Sequence, residues 1–220
     1  MDLDIVSDVG GTQIRVAVFQ AGSTTPLNIQ KIRTKDGSQR PEERLVELIK
    51  SMHPHGSRVR GLAIAIPGYV DHVNGIIYRT PNIKGWDNFP MRDYLQDRLA
   101  IPVKVGNDAN LAALGEWRYG VGVGHHNLIY LTISTGIGAG VIMDDRLILG
   151  EQGLAAELGH VTVVPQGPLC GCGQRGHLEA VASGTAIARF VSEKIAERPS
   201  KTRLQRIRSV SLLRRTRKRK

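Results

Sequence analysis

Apolar and polar residues follow one another along the chain in patterns that predict a mixed α/β protein. Residues 3–9 and 13–19 have the β-branched character of strands, although Val16 and Val18 blur the alternation of Ile14, Ala17 and Phe19 in the second of them. Gly61–Ile66 is a continuous apolar run, as in a buried strand. Further strands are predicted at Asn28–Arg33, Tyr69–Asp71, Gly75–Tyr78, Val103–Val105, Leu128–Ser134 and Val141–Met143.

Longer segments have the apolar spacing or composition of helices. In Pro41–Met52, the proline suits the first helical turn, and an apolar face recurs at Leu45, Val46, Leu48 and Ile49. The other helices are expected at Met91–Leu99, in the alanine- and leucine-rich run after Asn110, and at Glu179–Glu197, which Arg198-Pro199-Ser200 ends. Strands and helices interleaved in this order indicate an α/β fold.

A glycine-rich turn joins the first two strands. Gly10, Gly11 and Thr12 can present backbone N–H groups and a hydroxyl to a phosphate, with Asp8 beside them. A dinucleotide fingerprint would open a helix here, and a Walker loop would carry a lysine, but a β-strand follows instead. The pattern favours a phosphate-binding hairpin, while the alternative is that the glycines only make a turn.

A second turn of the same kind follows the strand Leu128–Ser134. Residues 135–140, which begin with Thr135 and Gly136, are rich in glycine and are predicted to lead into the strand Val141–Met143. The order of strand, threonine- and glycine-rich turn, and strand repeats that of the first hairpin. Two such turns could bind one polyphosphate from two sides.

Both cysteines of the chain lie in one glycine-rich loop. Cys170 and Cys172 have His160 before them and His177 after them, and two thiolates with two imidazoles can fill a tetrahedral zinc shell. Such a site would be structural, because four protein ligands leave no position for a reactive water. The alternative is a pair of free cysteines in a glycine loop. Two carboxylates bracket these ligands, Glu157 and Glu179.

Asp108 stands between a predicted strand and a predicted helix. Asn and Asp are common helix starts, so Asp108 could simply cap the helix. A carboxylate at this junction is also well placed to face a cleft at the carboxyl ends of strands. On the residues alone, both interpretations stay open.

Other polar and aromatic residues fall in predicted loops. Trp86 lies in the loop that begins at Thr80, where it either lines a small polar ligand or fills a gap in the packing. The remaining loop histidines are expected at the surface, and they are His53, His55, His125 and His126.

Charge is distributed unevenly along the 220 residues, whose formal net charge is +10. Residues 201–220 hold ten Lys and Arg and no acid, which leaves 20 basic and 20 acidic residues in the rest of the chain. A like-charge block of this kind is typical of disorder, and it would bind nucleic acid only non-specifically. No apolar run approaches the roughly 20 residues of a membrane span, so no membrane contact is expected. Two cysteines spaced for metal, without a disulfide framework, fit a reducing compartment, so a cytoplasmic protein is expected.

Taken together, these residues resemble the ROK family of sugar kinases, the bacterial glucokinase-like group. The motifs are DVGGTQIR, IPGYVD, PNIKGW, GNDANLAALGE, STGIGAG and ELGH joined to CGCGQRGHLEAVASGTAI, in this order from about Asp4 to Glu197. The resemblance implies an α/β, two-domain fold of the actin-like ATPase (ribonuclease-H-like) type. It also implies transfer of the γ-phosphoryl group of ATP to a hexose hydroxyl, with glucose as the first choice of sugar.

The resemblance also implies roles for individual residues. Asp108 matches the general base, and the residues that hold the sugar hydroxyls match Asn107, Asp108, Glu157, His160 and Glu179. The first phosphate loop matches Gly10, Gly11 and Thr12 with Asp8 near Mg²⁺, and the second matches Thr135 and Gly136. Zn²⁺ would be held by His160, Cys170, Cys172 and His177, where the family commonly has a third cysteine in place of His177.

The family pattern predicts an N-terminal domain at 1–118, a partial C-terminal domain with the zinc loop at 119–198, and a basic tail at 199–220. The second domain is expected to be incomplete, because roughly a third of the family's length is absent. An inactive kinase fragment is therefore one alternative function. A sugar-responsive transcription regulator is less favoured, since only seven residues precede Asp8. A complete chain is expected to form homo-oligomers.

Overall fold

The computed structural model describes residues 1–53 and 56–197. The basic tail 199–220, the predicted helix end at Arg198-Pro199-Ser200 and the loop residue His55 lie outside the described residues, so these predictions stay predictions. His53, His125 and His126 are exposed, which confirms their predicted surface location.

Ten strands and five α-helices lie within the described residues. The strands are β1 (Asp2–Val9), β2 (Gln13–Gln20), β3 (Pro26–Arg33), β4 (Arg58–Ile66), β5 (Tyr69–Asp71), β6 (Ile76–Arg79), β7 (Val103–Asn107), β8 (Leu128–Ile133), β9 (Ile137–Met143) and β10 (Arg146–Leu147). The helices are α1 (Pro41–Met52), α2 (Met91–Leu99), α3 (Asp108–Tyr119), α4 (Leu178–Ala182) and α5 (Gly184–Glu197), with a 3₁₀ turn at Leu158–His160. None of these helices combines the length and the apolar character that a membrane span requires.

A five-stranded sheet with the order β3-β2-β1-β4-β7 forms the centre of the N-terminal part. β1, β4 and β7 are parallel to one another, while β2 and β3 pair antiparallel with their neighbours. One face of this sheet is buried, and α1 and α2 contribute to the same core through Leu45, Ile49, Met91 and Leu95. Each fully buried aliphatic side chain of this kind contributes about 1.5–3 kcal/mol to stability.

The residues that β2 buries differ from those that the sequence pattern predicts. Ile14, Val16 and Val18 are buried, whereas Ala17 and Phe19 are only half-buried. The predicted grouping of Ile14 with Ala17 and Phe19 is therefore wrong, because only residues two apart share a face of a strand. Val16 and Val18, which blur the predicted alternation, face the core together with Ile14.

The parallel strands bring their carboxyl ends to one edge of the sheet. In the register of the sheet, Asp8 of β1 is opposite Ala65 of β4, and Ala65 is opposite Gly106 of β7. Asp108 follows Gly106 by two residues. Asp8, the turn after β1 and Asp108 therefore occupy the same edge, which is where open α/β sheets bind ligands.

Trp86 belongs to the core. It is fully buried, and its indole Nε1–H donates a hydrogen bond to Glu42 Oε2 at 2.8 Å. Arg40 Nε lies 3.3 Å from the other oxygen of this carboxylate, whose side chain is 4% exposed. The interpretation in which Trp86 lines a ligand is wrong, and the ring fills the interior beneath its loop.

The substitution Trp86→Phe is expected to lower the free energy of unfolding by about 1.5–3 kcal/mol, because it removes the donor to a buried carboxylate. Urea denaturation measures this loss. Trp117→Phe is the matched control, since Trp117 Nε1 donates to a neutral acceptor, the backbone oxygen of His125 at 2.7 Å. That change should cost about 0.5–1.5 kcal/mol, and equal losses in both variants would contradict the role given to Glu42.

The chain folds as two compact units. The first holds residues 1–130 and 139–156, and the second holds residues 131–138 together with the described residues from Glu157 onward. The second unit therefore contains the tip of the β8–β9 hairpin, the cysteine loop, α4 and α5. The predicted domain boundary at residues 118 and 119 stays a prediction.

Two predicted elements in the C-terminal half of the chain have different bounds in the structure. β9 begins at Ile137, so the predicted turn over 135–140 is shorter than expected. The predicted single helix Glu179–Glu197 is two helices, because Ser183 is extended with ψ 162°. Ser183 Oγ accepts a hydrogen bond from the Ala186 N–H at 3.2 Å, and this bond caps the start of α5.

Candidate functional site

Thr34 fixes the turn between β1 and β2 through two hydrogen bonds. This buried residue donates from Oγ1 to the Gly10 oxygen at 2.6 Å and from its N–H to the Thr12 oxygen at 2.9 Å. The Gly10 N–H is bonded to the Gln13 oxygen at 2.9 Å, whereas the N–H groups of Gly11 and Thr12 have no partner among the described residues. Two adjacent N–H groups without a protein acceptor can bind phosphate oxygens.

Sequence reasoning did not identify Thr34. A single threonine at the end of a strand carries no recognisable signal, and its function as a clamp depends on β3 pairing beside β2. The two hydrogen bonds from Thr34 therefore explain why the β1–β2 turn adopts a single conformation.

Gly11 makes a close approach to the loop that carries Asn82. A Cβ atom on Gly11 would lie 2.6 Å from the Asn82 Cβ, which is closer than such atoms approach in real proteins. On Gly10, by contrast, a Cβ would meet its nearest neighbour, the Gln13 oxygen, at an ordinary 3.6 Å. The turn can therefore keep its position only with glycine at residue 11.

We expect Gly11→Ala to lower the melting temperature, because overpacking of this kind costs about 1–3 kcal/mol. Thermal denaturation followed by circular dichroism measures the change. Gly10→Ala is the control and should melt close to the parent protein. The explanation fails if the two variants lose the same stability.

Two carboxylates, Asp8 and Asp108, lie at this edge of the first unit. Asp8 is exposed, with its Oδ2 atom 3.4 Å from Arg15 Nη1. Asp108 is half-buried and accepts the Ala109 N–H on Oδ1 at 2.9 Å. Burial raises the pKa of the Asp108 carboxyl and the charge of Asp8 raises it further, although the bond from Ala109 opposes this shift. A carboxylate with a raised pKa is a stronger base at neutral pH.

Asn107, rather than Asp108, caps α3. Its Oδ1 accepts the Asn110 N–H at 3.1 Å, and its Nδ2 donates to the Gly68 oxygen at 3.0 Å. The interpretation of Asp108 as the cap is therefore wrong, because Asp108 is the first residue inside the helix. The amide of Asn107 keeps one N–H and one lone pair for a further partner.

In the second unit, the turn after β8 is bonded to the segment that joins α4 and α5. Gly184 N–H donates to the Ser134 oxygen at 2.8 Å, and Thr185 Oγ1 donates to the Thr135 oxygen at 2.7 Å. The N–H groups of Thr135 and Gly136 have no partner in the described part of the chain. This turn therefore repeats the feature that makes the first turn a phosphate-site candidate.

The predicted metal ligands come together in the second unit. One donor atom from each of His160, Cys170, Cys172 and His177 lies within 4.8 Å of all the others. The distance from Cys170 Sγ to His160 Nδ1 is 3.7 Å, and that from Cys172 Sγ to His177 Nδ1 is 3.3 Å. In a tetrahedral zinc site with Zn–S of about 2.3 Å and Zn–N of about 2.0 Å, sulfur and nitrogen are roughly 3.6 Å apart. The donor set and its spacing fit zinc.

The backbone of the loop explains how ligands so close in sequence can converge. Cys170 N–H donates to the Gln174 oxygen at 2.8 Å, which closes a tight turn around Cys172. Gly173 and Gly176 have φ of 94° and 75°, values that L side chains rarely adopt. Burial raises the pKa of the Cys170 thiol, and the charge of Glu179 raises it further, although the hydrogen bond from the Cys172 backbone opposes this shift.

The remaining predicted residues, Glu157 and Glu179, both approach the cluster. Glu157 Oε2 is 3.8 Å from His160 Nε2, the ring nitrogen that faces away from Cys170. A carboxylate in this position orients a metal-binding imidazole. Glu179 accepts hydrogen bonds from Cys170 Sγ and from the Ile137 N–H.

The five predicted sugar-binding residues are divided between the two units. Asn107 and Asp108 are in the first unit, and Glu157, His160 and Glu179 are in the second.

The chain is similar in sequence and in fold to known proteins. The sequence model described as the ROK family matches residues 5–217. A glucokinase of Thermotoga maritima is 41% identical over 187 residues, which cover 84% of this chain and 59% of that protein. The solved ROK hexokinase of Thermus thermophilus has a TM-score of 0.77 at 38% identity. The match covers 88% of this chain and 64% of the hexokinase chain.

A third relative is a ROK family glucokinase of Streptomyces griseus, solved in complex with glucose and AMPPNP. Its TM-score is 0.73 at 38% identity, and the match covers 90% of this chain and 62% of that chain. These likenesses confirm the predicted α/β fold of the actin-like ATPase type. The chain spans between 59% and 64% of the length of these three relatives.

Proposed function

The chain belongs to the ROK family, and on this premise we propose that it transfers the γ-phosphoryl group of ATP to a hydroxyl group of a hexose. The observation that carries the proposal is the shared sheet edge of the first unit. There the turn, whose Gly11 and Thr12 N–H groups have no partner in the described part of the chain, lies with Asp8 and the half-buried Asp108 at the ends of neighbouring strands. Phosphoryl transfer needs positioning, charge neutralisation and one base, and this edge offers all three.

In this mechanism, Asp108 accepts the proton of the attacking sugar hydroxyl. Its raised pKa makes it a better proton acceptor than an exposed carboxylate, and the bond from Ala109 N–H fixes its orientation. The N–H groups of Gly11 and Thr12 and the Thr12 hydroxyl bind phosphate oxygens, and those of Thr135 and Gly136 form the second phosphate loop. Asp8 would hold Mg²⁺, which neutralises charge on the phosphates when it is bound.

The Cys/His cluster would hold Zn²⁺ through His160, Cys170, Cys172 and His177 in a structural site. The metal supplies no reacting group there, since four protein ligands complete the tetrahedron. The ring of His160 would be fixed on one side by this site and on the other by Glu157. An imidazole fixed in this way can form hydrogen bonds with the sugar hydroxyls, as the family resemblance implies.

The sugar would be held by Asn107, Glu157, His160 and Glu179 in addition to Asp108. Amide, imidazole and carboxylate groups suit a polyol, because each hydroxyl can donate one hydrogen bond and accept others. Glucose is the expected hexose, and mannose, fructose and N-acetylated hexosamines are the competitors to test.

The experiment is a coupled assay with ATP, Mg²⁺ and a panel of these hexoses, with bound zinc measured on the same sample. Formation of a hexose phosphate, identified by its mass, is the expected result. Failure to phosphorylate every hexose, in a sample that is folded and loaded with zinc, would contradict the proposal.

A further inference from the structure

The second unit buries few apolar side chains. Among its described residues, the buried hydrophobic side chains are Ile137, Cys170, Ala180, Ala186 and Ile195. Large apolar side chains of the same unit are exposed, including one on β8 and one on α5. A unit with so small a core depends on a bound metal or a cross-link to stay folded. We therefore expect the Cys/His cluster to contribute much of the stability of this unit.

The four candidate ligands of the cluster come from three separate segments. His160 is the last residue of the 3₁₀ turn, Cys170 and Cys172 lie in the glycine-rich loop, and His177 directly precedes α4. A metal bound to all four residues would cross-link these segments. Loss of the metal would release the three segments together, because its binding free energy is also folding free energy.

The two sulfurs of the cluster can also bond to each other. The chain has no cysteine besides Cys170 and Cys172, and their Sγ atoms lie within 4.8 Å of one another. Gly171 separates the two residues, and a Cβ atom at this position would meet nothing within 4 Å. The connecting backbone therefore has room to turn while the sulfurs approach to the roughly 2 Å of a disulfide bond.

The two cysteines differ in their access to solvent. Cys172 is exposed, whereas Cys170 is buried. A small oxidant in solution therefore reaches the sulfur of Cys172 first. The thiolate is the form of cysteine that both binds a metal and attacks an oxidant, so the metal-bound state is also the reactive state.

We propose that Cys172 and Cys170 form a reversible oxidation site at which a peroxide converts the two metal-bound thiolates into a disulfide and the metal is released. The proposal rests on the zinc site of the proposed function, but not on phosphoryl transfer. Because His177 supplies an imidazole in place of a third thiolate, one disulfide uses all the sulfur of the cluster. The metal is then left with two imidazole ligands.

The reaction takes place in two steps. The Cys172 thiolate attacks one oxygen of hydrogen peroxide and breaks the O–O bond, which gives a sulfenic acid and a hydroxide that is protonated to water. The Cys170 thiolate then attacks the Cys172 sulfur and displaces its hydroxide, which leaves as a second water. Each sulfur loses one electron, and the peroxide takes up both together with two protons.

The experiment treats the zinc-loaded protein with hydrogen peroxide and follows zinc release with a colorimetric chelator. About one zinc per chain should be released, and the mass of the denatured chain should fall by about 2 Da, the two hydrogens lost when a disulfide forms. Hydrogen exchange across residues 157–182 should become about 10-fold faster or more. A thiol reductant followed by zinc should reverse all three changes.

Cys172→His is the matched control. Imidazole is a competent zinc ligand, so this variant keeps four ligands but only one sulfur. It cannot form the disulfide, and it should release zinc at least about 10-fold more slowly at the same peroxide concentration. If this variant does not bind zinc, the mass of the oxidised parent protein still decides whether the disulfide forms.

Several results would overturn the proposal. These are retention of zinc by the parent protein under conditions that oxidise glutathione, and a mass gain of roughly 32 Da per sulfur, which is that of a sulfinic acid and is not reversed by thiols. Equally fast release from Cys172→His would exclude the disulfide as the cause. A parent protein that binds no zinc would refute the metal site as well. Reversible release from a protein that phosphorylates no hexose would refute the kinase function but support the oxidation site.

Discussion

Replacing Asp108 by asparagine is expected to lower kcat/KM for hexose phosphorylation by about 10²–10⁴-fold, the usual contribution of a general base. Asparagine keeps an oxygen that can accept the Ala109 N–H, so the start of α3 should remain intact. The change removes the proton acceptor and little else. Steady-state kinetics at saturating ATP measure the loss, and undiminished turnover would exclude Asp108 as the base.

The pH dependence gives an independent check on the same residue. Burial raises the pKa of Asp108, so activity should fall on acidification at a pH above the ordinary aspartate value of about 3.9. The ionised form is disfavoured by folding, and the parent protein therefore loses stability as pH rises through the raised pKa. Asp108→Asn should lack this loss. Asp93→Asn, an exposed change in the first turn of α2, is the control and should alter neither profile.

Replacing Cys170 by alanine is expected to abolish stoichiometric zinc binding and to destabilise the second unit. Structural zinc contributes about 10–16 kcal/mol to the folding of small zinc domains. Cys170 is 4% exposed and lies between His160 and Glu179, so its loss opens the centre of the cluster. Metal analysis by mass spectrometry should find about one zinc per parent chain and almost none in the variant after mild chelation.

His177 provides the controls for this prediction. His177→Ala should lose zinc like Cys170→Ala, whereas His177→Cys should retain it, because a thiolate is an equally competent ligand. His126→Ala removes an exposed histidine that pairs with Asp145 in the first unit, and it should leave zinc binding unchanged. If His177→Ala kept its zinc, the metal would have to be held without that imidazole.

Elements whose signals are local were predicted well. The bounds of α1 and α2 are confirmed, because apolar spacing and a proline in the first turn of α1 act within a few residues. The strands of the central sheet are confirmed for the same reason, within a few residues at their ends. The break at Ser183 was missed because it depends on Ser134, a residue about fifty positions earlier that accepts the Gly184 N–H.

The candidate site divides in a similar way. The candidate metal donors could be named from residue type and spacing, and their donor atoms do lie together. The clamp of Thr34 on Gly10 and the contact of Glu179 with Ile137 could not, since the residues of these pairs lie 24 and 42 positions apart in the sequence. Trp86 was ambiguous because its buried partner, Glu42, belongs to a separate helix.

The sequence alone determined most of the order of strands and helices, the two glycine-rich turns, the four candidate metal donors and the carboxylate after β7. These follow from side-chain periodicity and from chemistry that each residue carries with it. Tertiary structure decided which face of β2 is buried, which residue caps α3, in which direction the pKa of Asp108 is shifted, and which residues hold each turn. Those properties depend on burial and on hydrogen-bond partners that the fold brings from distant positions in the chain.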